Sequence, residues 1–324
     1  MNTPSKSKQV EVVTSARLHM GFFDLNGSIG RRYGSMGVSL NAPQTRIVVS
    51  EGNAFVAPDY IERSKRVLMQ HLGVESPIAI KVLEEIPRHA GLGSGTQMAL
   101  AIGIAISHLF DLKLSLREIA QYIGRGARSG IGIGTFATGG VVLDGGVDVE
   151  KQVPPIIAQH PFPAQWRILL IYDHGFVGVH GSAEQQAFKV LTDSSLASTQ
   201  QLSHQVLMEA LPALVEQDLV TFGKAVSSLQ AYNGDYFSPV QGGRFASRRV
   251  SEVLADLYSH GIKCAGQSSW GPTGFAIFAD QTSAELHMQR LQSQFQYPQL
   301  GWQICTANNH GAIVNIRNKG ELLG

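Results

Sequence analysis

β-Branched and other apolar residues are interleaved with polar ones in "VEVVTSARLHMGFFDL" (10–25), and the pattern resumes in "MGVSL" and "TRIVVS" (36–50). Such stretches predict strands. In "APDYIERSKRVLMQHLG" the apolar residues fall at 61, 67, 68 and 72 ahead of Gly73, which predicts a helix and its stop. "PIAIKVLEEIP" (77–87) predicts a further strand. "TQMALAIGIAISHLF" (96–110) is apolar nearly all round, the pattern of a buried helix. "SLREIAQYIG" (115–124) opens with Ser115 and Glu118 at capping-box spacing, and "GGVVLDGG" (139–146) is a strand between glycine turns.

Four prolines in "KQVPPIIAQHPFPAQW" predict a linker, with a boundary near 155–163 and halves at 1–158 and 159–324. "RILLIY" (167–172) then predicts a buried strand, followed by helices at about 181–192, 203–216, 218–230 and 245–260. "IKCAGQSS", "GFAIFAD" and "GWQICTAN" close the chain as strands around the helix "SAELHMQRLQSQF". Strands and helices mixed in both halves indicate a two-domain α+β protein.

Composition narrows the class. Hydrophobic residues make up 44% and charged residues 16% of 324, so the chain buries a sizeable core. A net charge of +1 gives no footprint for nucleic acid or an anionic membrane surface. The low charged fraction argues against a hyperthermophilic source. The polar start "MNTPSKSKQVEVV" lacks the apolar core of a signal peptide, and no apolar run reaches spanning length. Cys264 and Cys305 lie far apart without CxxC spacing, so a reduced cytoplasmic location is expected.

Candidate chemistry lies in the glycine-rich stretches. "IPRHAGLGSGTQMALAIG" (86–103) places Gly91, Leu92, Gly93, Ser94, Gly95 and Thr96 directly before the buried helix. Backbone N–H groups freed of side chains converge on an anion there, and the helix dipole adds positive charge. The spacing is neither a Walker A loop nor a dinucleotide fingerprint, and a turn without ligand is the alternative. "ARLHMGFFDLNGSIGRRYGSMGVSL" (16–40) carries Arg17, His19, Asp24, Asn26, Arg31 and Arg32. Arg17 and His19 share one strand face, and guanidinium forks suit phosphate or carboxylate. For Arg31 and Arg32 a charged hairpin in solvent is equally open. "CAGQSSWGPTGFAIF" (264–278) brings Ser268, Ser269, Trp270, Gly271 and Thr273, either a flat wall for an aromatic or sugar ligand or a corner burying a tryptophan. "RGARSGIGIGTFATGG" (125–140) is a further basic, glycine-rich run. "YDHGFVGVHGSAEQQAF" (172–188) adds Asp173, His174, His180 and Glu184 past a strand end.

These stretches together are familiar. "PRHAGLGSGT" resembles the phosphate-binding motif of the GHMP kinase superfamily, P-x-x-x-G-L-G-S-S-A, while "ARLHMGFFDLNG" and "GQSSWGPTGFAIF" resemble its first and last motifs. The resemblance implies an N-terminal domain like ribosomal protein S5 domain 2 and a ferredoxin-like C-terminal domain. More closely, "RLHMGFFDLNGSIGRRYGSMGVSLNAP", "GLGSGTQMALAIG", "RSGIGIGTF…GGVVLDGG" and "GQSSWGPTGFAIF" are similar to the β-ribofuranosylaminobenzene 5′-phosphate synthases, from about residue 12 to 318. That family condenses 4-aminobenzoate with phosphoribosyl pyrophosphate, releasing CO₂ and pyrophosphate. The step leads to tetrahydromethanopterin, a one-carbon carrier of methanogens and some methylotrophic bacteria.

The residues depart from a kinase. Superfamily kinases with a catalytic base usually carry Asp in SG-x-D-N/Q, where this chain reads "SGIGIG" (129–134), and the motif's second serine is Gly95. The acidic-pair loop of ordinary phosphoribosyltransferases is also missing, since no Asp-Asp, Glu-Asp or Asp-Glu occurs. The resemblance therefore implies a pyrophosphate held on residues 91–96, with Mg²⁺ near Thr96 and no organic cofactor. Arg17, Arg31 and Arg32 would clamp anions, Asp24 would take a proton from the amino group, and His19 would assist the leaving group. Ser268, Ser269, Trp270, Gly271, Thr273, Asn26 and His180 would shape the substrate pocket. A homodimer is implied as well. An ATP-dependent small-molecule kinase and a non-catalytic regulator that binds a phosphorylated metabolite are the rival readings.

Overall fold

The computed structural model describes residues 8–52, 57–148, 153–178, 181–192 and 194–318. The first half runs β1 (Lys8–Phe22), β2 (Arg31–Arg32), β3 (Ser35–Glu51), α1 (Asp59–Leu72), β4 (Ile78–Glu84), α2 (Ser94–Leu109), α3 (Leu116–Tyr122), α4 (Ile131–Thr138), β5 (Val141–Asp144), β6 (Val147–Asp148) and β7 (Ile156–His160). The second runs β8 (Arg167–Asp173), α5 (Gly181–Val190), α6 (Leu196–Gln205), one π-helical turn (Val206–Ala210), α7 (Leu211–Glu216), α8 (Leu219–Gln241), α9 (Arg248–Ser259), β9 (Ala265–Gln267), β10 (Gly274–Phe278), α10 (Gln281–Gln294), β11 (Leu300–Cys305) and β12 (Ile313–Asn318). None of the described helices is long and apolar enough to cross a membrane.

Local signals act as expected. Gly73 ends α1 at φ 61°, and Ser115 and Glu118 form the reciprocal capping box of α3. Both stretches at 36–50 belong to one long strand, β3, which pairs with β1 across two register shifts.

Three expectations need correction. The proline-rich stretch is more than a linker, because β7 lies within it and pairs with β5. The expected boundary at 158 therefore cuts β7, and β12, far beyond it, pairs with β1 in the first sheet. The helix expected at 203–216 starts earlier and passes through the π turn, while the one expected to stop at 230 continues through Pro239 to Gln241. Finally, α4 was not legible, because Gly132 and Gly134 lower its helix propensity. A side chain at Gly134 would overlap Val142 and meet Ile156 at 2.8 Å, so packing against β5 outweighs propensity there.

The first sheet has the order β12-β1-β3-β5-β7, with β4 also on β3, and the second is β11-β8-β10-β9. One apolar core joins them: Leu18, Met20 and Val38 of the first sheet share it with Ile168, Leu170, Phe222 and Leu229 of the second half. Separate cores lie under α2 and under α9. A fourth, aromatic cluster of Phe22, Phe237 and Trp270 lies where the halves meet.

Candidate active site

Two glycine-rich loops distant in sequence meet backbone to backbone. A side chain at Gly91 would overlap the Ser268 carbonyl, and one at Gly271 would overlap Gly91 itself. Gly91 also takes φ +80°, which residues with a Cβ rarely adopt. Ser268 pins the junction, since its Oγ donates to the Gly91 carbonyl (2.8 Å) and accepts the His19 N–H (3.1 Å). Arg17 adds a second fastening from β1: its N–H reaches the Leu92 carbonyl (3.0 Å) and its Nη1 donates to the Gly91 carbonyl.

The loop delivers the chain into α2 at Ser94. No side chain caps this helix, and its first turn carries no acid, so its positive end is uncompensated. A Cβ at Gly93 would lie 3.1 Å from Arg17 Cγ, and one at Gly95 would lie 3.2 Å from Arg125 Nη2. Two arginine side chains thus cover the glycines on either side of Ser94.

A cleft of about 200 Å³ opens beside this helix end. Arg17, Arg125 and Arg128 line it with Thr96, Ser129 and Ser269, and no carboxylate does among the described residues. Its apolar wall is Phe22, Phe188 and Trp270. Phe188 stacks on Trp270 at 5.1 Å between centroids, and the Arg128 guanidinium lies 4.5 Å from the Phe188 ring. Gly132 lies against the cleft residue Thr96. A Cβ there would be 3.0 Å from Thr96 Cγ2.

His19 also faces the cleft, 4% exposed and 4.5 Å from the Phe22 ring. Burial, reinforced by the Arg17 charge, pushes its pKa down to about 3. The imidazole is therefore neutral near pH 7, and among the described residues its buried Nε2 has no hydrogen-bond partner. The Trp270 Nε1 is likewise buried without one.

The structure brings Arg17, His19, Thr96, Ser269 and Trp270 together with the 91–96 loop. Ser268, Gly271 and Thr273 lie behind it, Thr273 fully buried and accepting the Ser268 N–H through its carbonyl (3.0 Å). Four expected residues serve the neighbouring hairpin instead. Asp24 Oδ1 accepts the N–H groups of Asn26 (2.9 Å) and Gly27 (3.1 Å), closing a turn. Asn26 donates to the Ser194 carbonyl (2.5 Å). Arg31 donates to the Gly146 carbonyl (3.0 Å) and faces Asp148 at 3.8 Å, while the Arg32 guanidinium lies 5.2 Å from the Tyr33 ring. His180 lies outside the described residues. Sequence reasoning missed Arg125, Arg128 and Phe188 as site residues. The only signal for the arginines was the basic run before α4.

Comparison with known proteins shows the family and the fold. Residues 59–140 match the GHMP kinases N terminal domain and residues 210–296 the GHMP kinases C terminal domain. A β-ribofuranosylphenol 5′-phosphate synthase of Archaeoglobus fulgidus is 35% identical over 82% of this chain and 86% of its own. Its namesake from Methanocaldococcus jannaschii is 34% identical over 82% and 88%. Among solved structures, homoserine kinase from Cytophaga hutchinsonii superposes with a TM-score of 0.68 at 17% identity, covering 97% of this chain and 99% of that one. Mevalonate diphosphate decarboxylase from Staphylococcus aureus gives 0.64 at 14%, covering 95% and 98%. The fold is thus shared with kinases and a decarboxylase, while the two relatives at 34–35% identity are named synthases. The chain is an enzyme of the β-ribofuranosylphenol 5′-phosphate synthase family, within the GHMP kinase superfamily.

Proposed function

We propose that this enzyme joins the phosphoribosyl group of phosphoribosyl pyrophosphate to the carboxyl-bearing ring carbon of 4-aminobenzoate, with loss of CO₂ and pyrophosphate. The observation that carries the reading is the uncapped start of α2, flanked by Arg17 and Arg125, in a cleft lined by three arginines and no described carboxylate. Such a site stabilises a departing polyanion through fixed donors and charges. Among the described residues it offers no carboxylate to activate a hydroxyl for phosphoryl transfer.

The chemistry balances without one. The C1–O bond breaks, and its electron pair leaves with pyrophosphate. The ring carbon, enriched by the para substituent, forms the new C–C bond. The bond to the carboxylate then breaks, its electrons restore the aromatic ring, and CO₂ departs. No net proton is taken up or released, which suits an Asp24 engaged in a turn and a His19 that stays neutral. The Phe188–Trp270 wall would hold the benzoate ring flat, and Arg128 beside it would meet the 5′-phosphate.

Magnesium was expected near Thr96, but the hydroxyls of Thr96, Ser129 and Ser269 among guanidinium groups, with no described carboxylate, do not make a hard-cation site. The described residues of the cleft do not fit a resident Mg²⁺, and any Mg²⁺ would arrive on the pyrophosphate. A second reading of the acceptor comes from the relatives, whose name specifies a phenol product. A para hydroxyl activates the ring as an amino group does, so 4-hydroxybenzoate is the alternative acceptor. The test is release of labelled CO₂ from each carboxyl-labelled acid, with phosphoribosyl pyrophosphate or with ATP. Release with phosphoribosyl pyrophosphate from one acid identifies the acceptor. No release from either acid would overturn the proposal, and ADP formation with another substrate would favour a kinase.

A further inference from the structure

Asp144, the last residue of β5, is fully buried, and every hydrogen-bond donor described on it is neutral. Its Oδ2 accepts from Ser35 Oγ (2.5 Å), Ser129 Oγ (3.2 Å) and the Gly130 N–H (2.9 Å), and its Oδ1 accepts from the Gly146 N–H (2.9 Å). Desolvating a carboxylate without a cation is costly. An ionised carboxylate is, however, the one side chain that accepts on both ends and presents no donor.

What this acceptor holds is the far end of the arginine loop. Residues 125–129 have no regular structure, so their course depends on how the two ends are fixed. At one end, the Arg125 N–H donates to the Ala120 carbonyl of α3 (2.8 Å). At the other, Asp144 takes both Ser129 and Gly130, and a Cβ at Gly130 would be only 3.2 Å from the Asp144 Cβ. Between these anchors lie Arg125, over the start of α2, and Arg128, over Phe188.

We propose that Asp144 is a positioning residue: it sets the pose of the 125–129 loop, so that Arg125 and Arg128 converge on the phosphates of the substrate. The inference rests on the phosphate-binding reading above. Asp144→Asn tests it, because the amide must turn its NH₂ towards either the Gly130 or the Gly146 N–H and release one of them. The measurements are pyrophosphate binding by calorimetry and the separate kcat and KM for phosphoribosyl pyrophosphate. Displacing the arginines by about 1 Å should weaken pyrophosphate binding on the order of 10- to 100-fold and raise KM in parallel. A purely structural role would lower melting temperature and the active fraction while leaving Kd and KM unchanged.

Ser35→Ala, which removes a buried donor outside the cleft, should shift Kd in the same direction by less, and it decides the matter if Asp144→Asn does not fold. A folded variant with the wild-type Kd would overturn the inference alone. A wild-type enzyme that bound no pyrophosphate would overturn the phosphate reading and this inference with it.

Discussion

The side-chain amide of Asn233, in α8, takes both backbone groups of Phe22 at the end of β1: Nδ2 donates to the carbonyl at 2.8 Å, and Oδ1 accepts the N–H at 2.9 Å. Just before Phe22, which pairs with Ser35, β1 shifts register against β3 between His19 and Gly21. One turn earlier, Gln230 Nε2 donates to the Met20 carbonyl (2.5 Å). The strand that carries Arg17 and His19 is thereby tied to the opposite half of the molecule.

Replacing Asn233 with Leu should cost about 2–4 kcal/mol, since two buried backbone groups lose their partners. Denaturant unfolding at constant protein concentration measures it. A loss below about 1 kcal/mol would mean that water or a local shift restores the pairing.

Arg125→Ala should lower kcat/KM on the order of 100- to 1000-fold, the scale of a lost charge-stabilising donor. Arg31→Ala should stay within a few-fold of wild type, because Arg31 ties β2 to the Gly146 turn. Steady-state kinetics on the two variants compares arginines from equally basic, glycine-rich loops. Equal losses would remove the distinction the structure draws.

Gly271→Ala should separate the two glycine loops, because its methyl group would overlap the Gly91 backbone. Phosphoribosyl pyrophosphate binding and stability should fall together, by about 2 kcal/mol or more where backbone cannot yield. An alanine variant of wild-type stability and affinity would show that the loops can part without consequence.

His19 makes the stability pH-dependent with a definite sign. Its pKa is about 3 in the folded enzyme against 6.5 as the ordinary value, so the unfolded chain binds the proton more tightly. The contribution is complete above pH 6.5 and is lost as pH falls towards 3. Between pH 7 and 5 the wild type should lose about 2 kcal/mol more than His19→Gln. Asp144 works in the other direction: burial raises its pKa to about 6, so its contribution fades as pH rises from 3.8 to 6. It is common to both proteins and cancels in the difference. Parallel stability curves for the two proteins would refute the assignment.

Much of the frame was legible because its causes are local. Gly73 stops α1 through its left-handed backbone, Ser115 and Glu118 close a box within one turn, and the all-apolar 96–110 stretch becomes a helix buried on nearly every side. The glycine turn of residues 91–96 ahead of α2 was legible because the absence of side chains next to a helix start is itself a sequence pattern. Helix α4 was illegible for the converse reason, since its glycines argue against a helix and only their fit against β5 and Thr96 explains it.

The arginines mark the boundary of such reading. Arg31 and Arg32 and then Arg125 and Arg128 occupy glycine-rich loops of similar composition, and nothing within either loop says which pair meets a ligand. That depends on Gly91 meeting Ser268, residues 177 apart, and on Asp144 gathering Ser35, Ser129 and Gly130 from two segments. Helix stops, caps and glycine turns are settled by a few neighbouring dihedral angles and so are written in short stretches of sequence. A cleft is settled by which surfaces come together when one core is buried between two sheets, and that apposition exists only in the folded chain.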